Sequence, residues 1–199
     1  MSSALYPLFP LNTVLLPGCV LDLQLFEARY LDMLSACLKR GEGFGVVCLV
    51  EGAEVGPAAE RFAGIGCEAL IRDWQQRPNG LLGVRVEGGR RFQVERAEVQ
   101  RDQLTLAEVR WREAPEERPL LEEHADLAAL LGALAEHPMV ADLGMGQAPV
   151  GQWALANQLA YLLPFTPAQK LQLLMQDDPL QGLAHVQALL DQLQGEMTA

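Results

Sequence analysis

Residues Leu5–Arg40 read LYPLFPLNTVLLPGCVLDLQLFEARYLDMLSACLKR. This stretch decides the fold, because strand, turn and helix signals follow one another within it. Leu5–Leu11 and Val20–Phe26 are apolar, extended-looking runs. Between them, Leu16-Pro17-Gly18 demands a turn, since proline fixes φ and glycine permits positive φ. From Glu27 the period changes. Phe26, Tyr30, Met33, Leu34, Cys37 and Leu38 recur as one helical face, and Gly41 after Lys39-Arg40 supplies a stop. Strand, turn, strand and a helix lying on an apolar surface are therefore predicted before Glu42.

The same residues carry a resemblance. PLFPL, VLLPG and LFEARYLDML are similar to the opening signature of the Lon protease amino-terminal (substrate-binding) domain, P-L-F-P-L…V-x-F-P-G…L-x-L-x-I-F-E-x-R-Y. Leu16 and Leu25 stand where that signature has Phe and Ile, a change of shape and not of chemistry. Gly64-Ile65-Gly66-Cys67-Glu68-Ala69-Leu70-Ile71 resembles the family's G-x-G-T-x-A-x-I strand, with Cys67 in place of Thr. Gly88-Gly89-Arg90-Arg91-Phe92 resembles its G-x-x-R-F turn. Ala156–Leu163 and Lys170–Leu174 resemble its carboxy-terminal helices, so the likeness spans nearly the whole chain.

Composition supports a globular chain. Half of the 199 residues are hydrophobic, ample for a buried core. No apolar run approaches the ~18 residues of a membrane span, and the amino terminus lacks the basic and apolar regions of a signal peptide. The expectation is a cytoplasmic protein with no membrane partner. Cys19, Cys37, Cys48 and Cys67 lack C-x-x-C spacing and sit in apolar runs, which reads as small buried hydrophobes. Charge is uneven: residues 1–115 carry 13 Arg/Lys and 15 Asp/Glu, whereas residues 116–199 carry 2 and 11. An acidic total without a clustered basic stripe argues against a nucleic-acid partner. Arg85, Arg90, Arg91 and Arg96 are interleaved with Glu87 and Glu95 and read as a solvated strand face.

Onward from the helix, Phe44–Val50 reads as a strand covered on both faces and Glu51–Arg61 as an exposed loop. Phe62–Trp74 and Leu81–Glu87 form a hairpin around Arg77-Pro78-Asn79-Gly80. Gly88-Gly89 bends the chain before Phe92–Val99 and Leu104–Trp111. The count is about seven strands at the spacing of a compact, coiled sheet or barrel. The acidic, proline-bracketed Glu113–Pro119 then leads into helical patterns: Leu120–Glu136, Val150–Leu163, a helix opened by the capping box Thr166-Pro167-Ala168-Gln169, and a last one from Asp178-Pro179. The expected fold is α+β, a PUA-like coiled β-barrel lobe over residues 1–115 followed by a helical bundle lobe over residues 116–199.

Catalytic chemistry is missing from these patterns. A phosphate-binding loop needs G-x-x-x-x-G-K-[ST], and neither Lys39 nor Lys170 sits in that context. Ser2, Ser3 and Ser35 are the only serines. Ser35 and Lys39 share a helical face, but a dyad needs a desolvated lysine and an oxyanion hole, whereas a lysine in a last helical turn is solvated. His124, His137 and His185 lack ligand spacing, so no metal and no cofactor is expected; His137, before Pro138, suits a capping role. Glu122-Glu123 and Asp177-Asp178 read as solubilising or helix-start charges. The resemblance implies non-catalytic binding of polypeptide segments by a stand-alone copy without ATPase and peptidase modules. Its partners are expected to be unfolded or extended chains and a cytoplasmic protease, with the protein acting as a substrate adaptor or holdase. Candidate peptide contacts are Glu27, Arg29 and Tyr30 of the F-E-x-R-Y match, Trp74 beside the hairpin turn, and Arg90 and Phe92. For Glu27 and Arg29 the first explanation is structural, a helix-start charge and its partner. The alternative function is a small-molecule or modified-base sensor using the barrel mouth.

Overall fold

The computed structural model describes residues 5–51, 54, 56–58 and 61–198, and the chain divides into two compact units, Met1–Glu113 and Ala114–Ala199. The first unit contains β1 (Tyr6–Leu11), β2 (Val20–Leu25), α1 (Ala28–Arg40), β3 (Phe44–Glu51), β4 (Arg61–Gln76), β5 (Leu82–Val99) and β6 (Thr105–Trp111). The predicted loop Glu51–Arg61 lies largely outside the described residues, as do Ser2 and Ser3.

Pairing in the first unit runs in a ring. β1 lies parallel to β3 and antiparallel to β6; β4 lies antiparallel to β3 and β5; β5 returns to β6. β2 stands outside this ring, on the first half of β5 from Val20↔Glu87 to Leu25↔Leu82. Among the described residues the strands number six where the alternation suggests about seven, because Gly88-Gly89 bends β5 without breaking it. At that bend the register with β4 steps from Ala69↔Gly88 to Cys67↔Arg91, an extra residue on β5. The bulge lets one strand pair with β2 in its first half and with β6 in its second.

Glycine makes the bend possible by close approach. A Cβ on Gly88 would lie 2.0 Å from the Leu16 carbonyl oxygen. The Pro17-Gly18 turn, with Gly18 at φ +75°, instead sits against this backbone. Gly18 N–H donates to the Gly88 carbonyl at 2.8 Å, and Gly88 N–H donates to that of Cys19 at 2.8 Å.

The ring interior is filled by Phe92, Leu8, Val47 and Ala107, with Tyr6, Phe62, Val94, Val109 and Trp111 packed around them. Phe92 occupies the space above two glycines. A Cβ on Gly45 or Gly66 would come within 2.7 or 2.5 Å of its ring. Helix α1 buries Tyr30, Met33, Leu34 and Cys37 and ends at Gly41, φ +66°, where Glu42 N–H reaches back to the Cys37 carbonyl. Phe26 is 53% exposed, contrary to its placement on that face. Glu27 is still extended, so the helical period does not include it.

Strands end at Trp111. After a 3₁₀ turn at Glu122–His124, the second unit comprises α2 (Ala125–Ala135), α3 (Pro138–Asp142), α4 (Gln152–Leu162), α5 (Pro167–Met175) and α6 (Pro179–Thr198). Its core joins Leu155 and Leu159 of α4 with Leu131, Leu174, Leu183 and Val186 of the other helices. Thr166 and Gln169 form the expected capping box. His137 caps α3, its Nδ1 accepting from Met139 N–H at 3.3 Å. That short helix is absent from the periodic reading, which stops at Pro138. The segment read as a linker also has a fixed end: the Glu117 carboxylate accepts from Trp153 N–H at 2.7 Å and Ala154 N–H at 3.1 Å. It thereby satisfies two orphan donors of α4.

Candidate functional site

A concavity of the first unit opens where α1 ends beside the ring. It has a volume of about 970 Å3 and is lined by Tyr6, Met33, Arg40, Glu68, Leu70, Arg90 and Trp111, among others. Strand alternation explains the polar cluster in it. Glu68 follows Gly66 on the inward side of β4, but at the end of the ring, where Arg90 of β5 can reach it. Arg90 Nε lies 3.1 Å from Glu68 Oε2 and Nη2 3.3 Å from Oε1. The guanidinium also lies over the Trp111 ring, 3.9 Å from its centroid, an arrangement that favours a cation on an aromatic face. Tyr6 stands edge-on to Trp111, with centroids 5.1 Å apart.

The Tyr6 hydroxyl is buried without a hydrogen-bond partner among the described residues. Burial first, then the negative charge of Glu68, pushes its pKa well above the ordinary tyrosine value. The phenol therefore remains a donor throughout the physiological range. A buried donor left unpaired is costly, and it stands among the groups lining this cavity.

Of the residues singled out from the sequence, only Arg90 lines this cavity; the structure does not bring the six together. Phe92, taken as a peptide contact, is fully buried in the ring core and presents no surface. Tyr30 is also buried, edge-on to Phe9 with centroids 4.2 Å apart. Arg29 is 6% exposed. It pairs with Glu27 at 3.0 Å and donates to the carbonyls of Gln103 at 2.9 Å and Gly56 at 2.6 Å. Arg29 thus has the carboxylate partner that the structural explanation gave it, and it also ties distant loops together, which that explanation did not include. Arg91, read as solvated, is buried, its Nη2 donating to the Glu113 carbonyl at 3.4 Å. Trp74 alone matches an interface anchor, at 54% exposure beside the hairpin turn.

Tyr6, Glu68 and Trp111 are the residues that sequence reasoning missed. The signal available for Glu68 was a carboxylate inside an otherwise apolar run, Ile65–Ile71. Ser35 and Lys39 are both exposed on α1. All four cysteines are buried thiols outside any disulfide. Burial pushes the Cys37 thiol up to about 11, which leaves it protonated and unreactive. Among the described residues, no group of His, Cys, Asp and Glu could hold a metal ion, and no helix is long and apolar enough to cross a membrane.

A strand ring with one helix and an open, mixed-polarity cavity, followed by a helical unit, defines an α+β module of binding type. Residues 5–192 match the ATP-dependent protease La (LON) substrate-binding domain, and the chain belongs to that family, whose matched portion is a non-catalytic module. A crystal structure of a Lon N-terminal domain protein from Xanthomonas campestris is similar, with TM-score 0.75 and 34% identity over 93% of this chain and 98% of that one. The N-terminal domain of Mycobacterium avium complex Lon protease shares the fold, with TM-score 0.60 and 22% identity over 94% and 97%. A Lon protease from Flavobacterium johnsoniae is 27% identical over 131 residues, which cover 65% of this chain and 16% of that protease.

Proposed function

We propose that this chain binds extended or unfolded polypeptide segments without cleaving them, in the cavity at the end of the strand ring. The observation that carries this reading is an open volume of about 970 Å3, apolar and polar by turns, in a member of a substrate-binding family. Leu70 and Trp111 offer apolar surface, while the Glu68–Arg90 pair offers polar recognition. That mixture suits a peptide, whose backbone is polar and whose side chains gain by burial. A buried Leu or Phe contributes roughly 1.5–3 kcal/mol, so affinities in the micromolar-to-millimolar range are expected. In a cytoplasmic setting such a module would deliver chains to a protease, compete for them or hold them.

Anisotropy titration of a fluorescent unfolded peptide tests the reading directly, with suppression of a model protein's thermal aggregation as the companion assay. Trp111→Ala should weaken both. The same ion pair favours a second reading, a small-molecule ligand at the ring mouth. Absence of peptide binding at high protein concentration, together with capture of a small molecule, would establish that reading in place of the first.

A further inference from the structure

β4 is paired on both sides for only part of its length. β3 accompanies it from Glu51↔Arg61 to Phe44↔Ala69, and then the chain leaves through Gly43 towards α1. β4 continues to Gln76 with β5 on one side, from Leu70↔Glu87 to Gln76↔Leu82. Among the described residues no strand occupies the other side. The side without β3 begins at Leu70, which lines the cavity, and runs out to Trp74.

Ladder geometry says which groups this edge offers. Arg77 N–H donates to the Leu81 carbonyl at 2.7 Å, so Arg77 faces β5. Because backbone groups alternate sides along a strand, Gln75 and Asp73 also face β5, and the amides and carbonyls of Trp74 and Gln76 face outward; a bulge between Ile71 and Asp73 ends this alternation. The outward amide of Trp74 is taken up locally, donating to its neighbour's Asp73 Oδ1 at 2.8 Å. A side chain that occupies an edge donor is a recognised protection against uncontrolled strand pairing.

We infer that an extended polypeptide segment binds by strand addition along Asp73–Gln76, on the side of β4 that β3 vacates and beyond the bulge that separates this edge from the cavity-lining Leu70. The occupant is set by the edge itself, since a row of alternating amides and carbonyls is matched by another extended backbone and by few other chemistries. Asp73 holds the site partly closed, and the incoming strand displaces its carboxylate from the Trp74 amide. The exposed Trp74 indole then covers part of the added strand. This assignment rests on the polypeptide-binding reading and specifies where and how the chain is held.

The test uses the full chain and a short synthetic peptide alternating Val, Thr and Leu, alongside the same peptide N-methylated at alternate residues. N-methylation removes ladder donors and leaves the side chains in place. The unmodified peptide should bind about tenfold or more tightly than the methylated one, the worth of one or two net hydrogen bonds. It should also protect the Trp74 and Gln76 amides from hydrogen exchange. Asp73→Ala should tighten binding by roughly threefold to tenfold, by freeing one edge donor. Equal binding of both peptides, without new amide protection, would overturn the edge while leaving polypeptide binding intact. Failure of both peptides to bind at high protein concentration would overturn both readings. Protection of the same amides by self-association, detected by sedimentation without peptide, would assign the edge to a second copy instead.

Discussion

β4 and β5 run together as one long antiparallel pair, yet their two halves behave differently. Around Ile65–Ala69 and Arg91–Gln93 the pair is enclosed by β3 and β6, and Phe92, Cys67 and Ala69 are fully buried. Around Asp73–Gln76 and Leu82–Arg85 it projects as a hairpin with β2 on one side, and residues 72–76 are exposed. Both halves pair antiparallel, on either side of the bulges at Gly88-Gly89 and between Ile71 and Asp73. The neighbours differ, and the neighbours decide whether a strand is core or recognition surface. One half completes a ring and has no edge left to offer; the other keeps an edge guarded by Asp73.

The largest effect that would test this contrast is removal of the ring's central aromatic. Phe92→Ala should lower unfolding stability by about 3–5 kcal/mol, read from the urea midpoint, whereas Trp74→Ala should stay within about 0.5 kcal/mol as a surface change. Comparable losses from the two would erase the distinction between the halves.

Arg29→Ala should cost about 3 kcal/mol, because it leaves the Gln103 and Gly56 carbonyls and the Glu27 carboxylate without their shared partner. Arg29→Lys should recover only part of this in the same denaturant assay, since one ammonium cannot reproduce the guanidinium fork.

Glycine substitutions sharpen the comparison by mechanism. Gly66→Ala in the ring should cost about 1–3 kcal/mol through overpacking against the Phe92 ring and the Val46 carbonyl oxygen, 2.6 Å from the added Cβ. Gly80→Ala at the hairpin turn should cost about 1–2 kcal/mol through its backbone alone, as φ is +81° and nothing lies within 4 Å of an added Cβ. Pairing Gly66→Ala with Phe92→Leu should relieve the part of the first cost owed to the ring and leave the part owed to the Val46 carbonyl, while Gly80→Ala should show no such coupling in a double-mutant cycle.

The smallest expected effect concerns the hairpin's link to β2. Arg85 donates from Nε and Nη2 to the two Asp22 oxygens at 2.8 Å each. This hydrogen bonding holds the Asp22 pKa below its ordinary value of 3.8. A depressed folded-state pKa means that the contribution is fully present above the unfolded value and is lost as pH falls through the folded one. Both side chains are about a third exposed, so screening limits the pair to less than about 1 kcal/mol. Asp22→Asn should therefore be slightly less stable than the parent at neutral pH, with the gap closing as pH falls below 4, in parallel thermal melts.

What the amino-acid sequence by itself determined is local. The Pro17-Gly18 turn, the helix from Ala28 to its stop at Gly41, the capping box at Thr166 and the change from alternating to helical period all depend on residues within a few positions of one another. Short-range stereochemistry therefore suffices to read them. The order of family motifs also placed the chain in its α+β class. Only the tertiary structure decided that Phe92 is core, that Arg29 bridges loops, and that Glu117 caps α4 from 36 residues away. It likewise brought Tyr6 against Trp111 and Glu68 against Arg90 to shape the cavity, and began β3 at Phe44 so that β4 ran on with β5 on one side only. An alternating strand carries the same pattern whether or not a neighbour lies beside it. Its environment is set by chain closure over long sequence separations, and no local period encodes that.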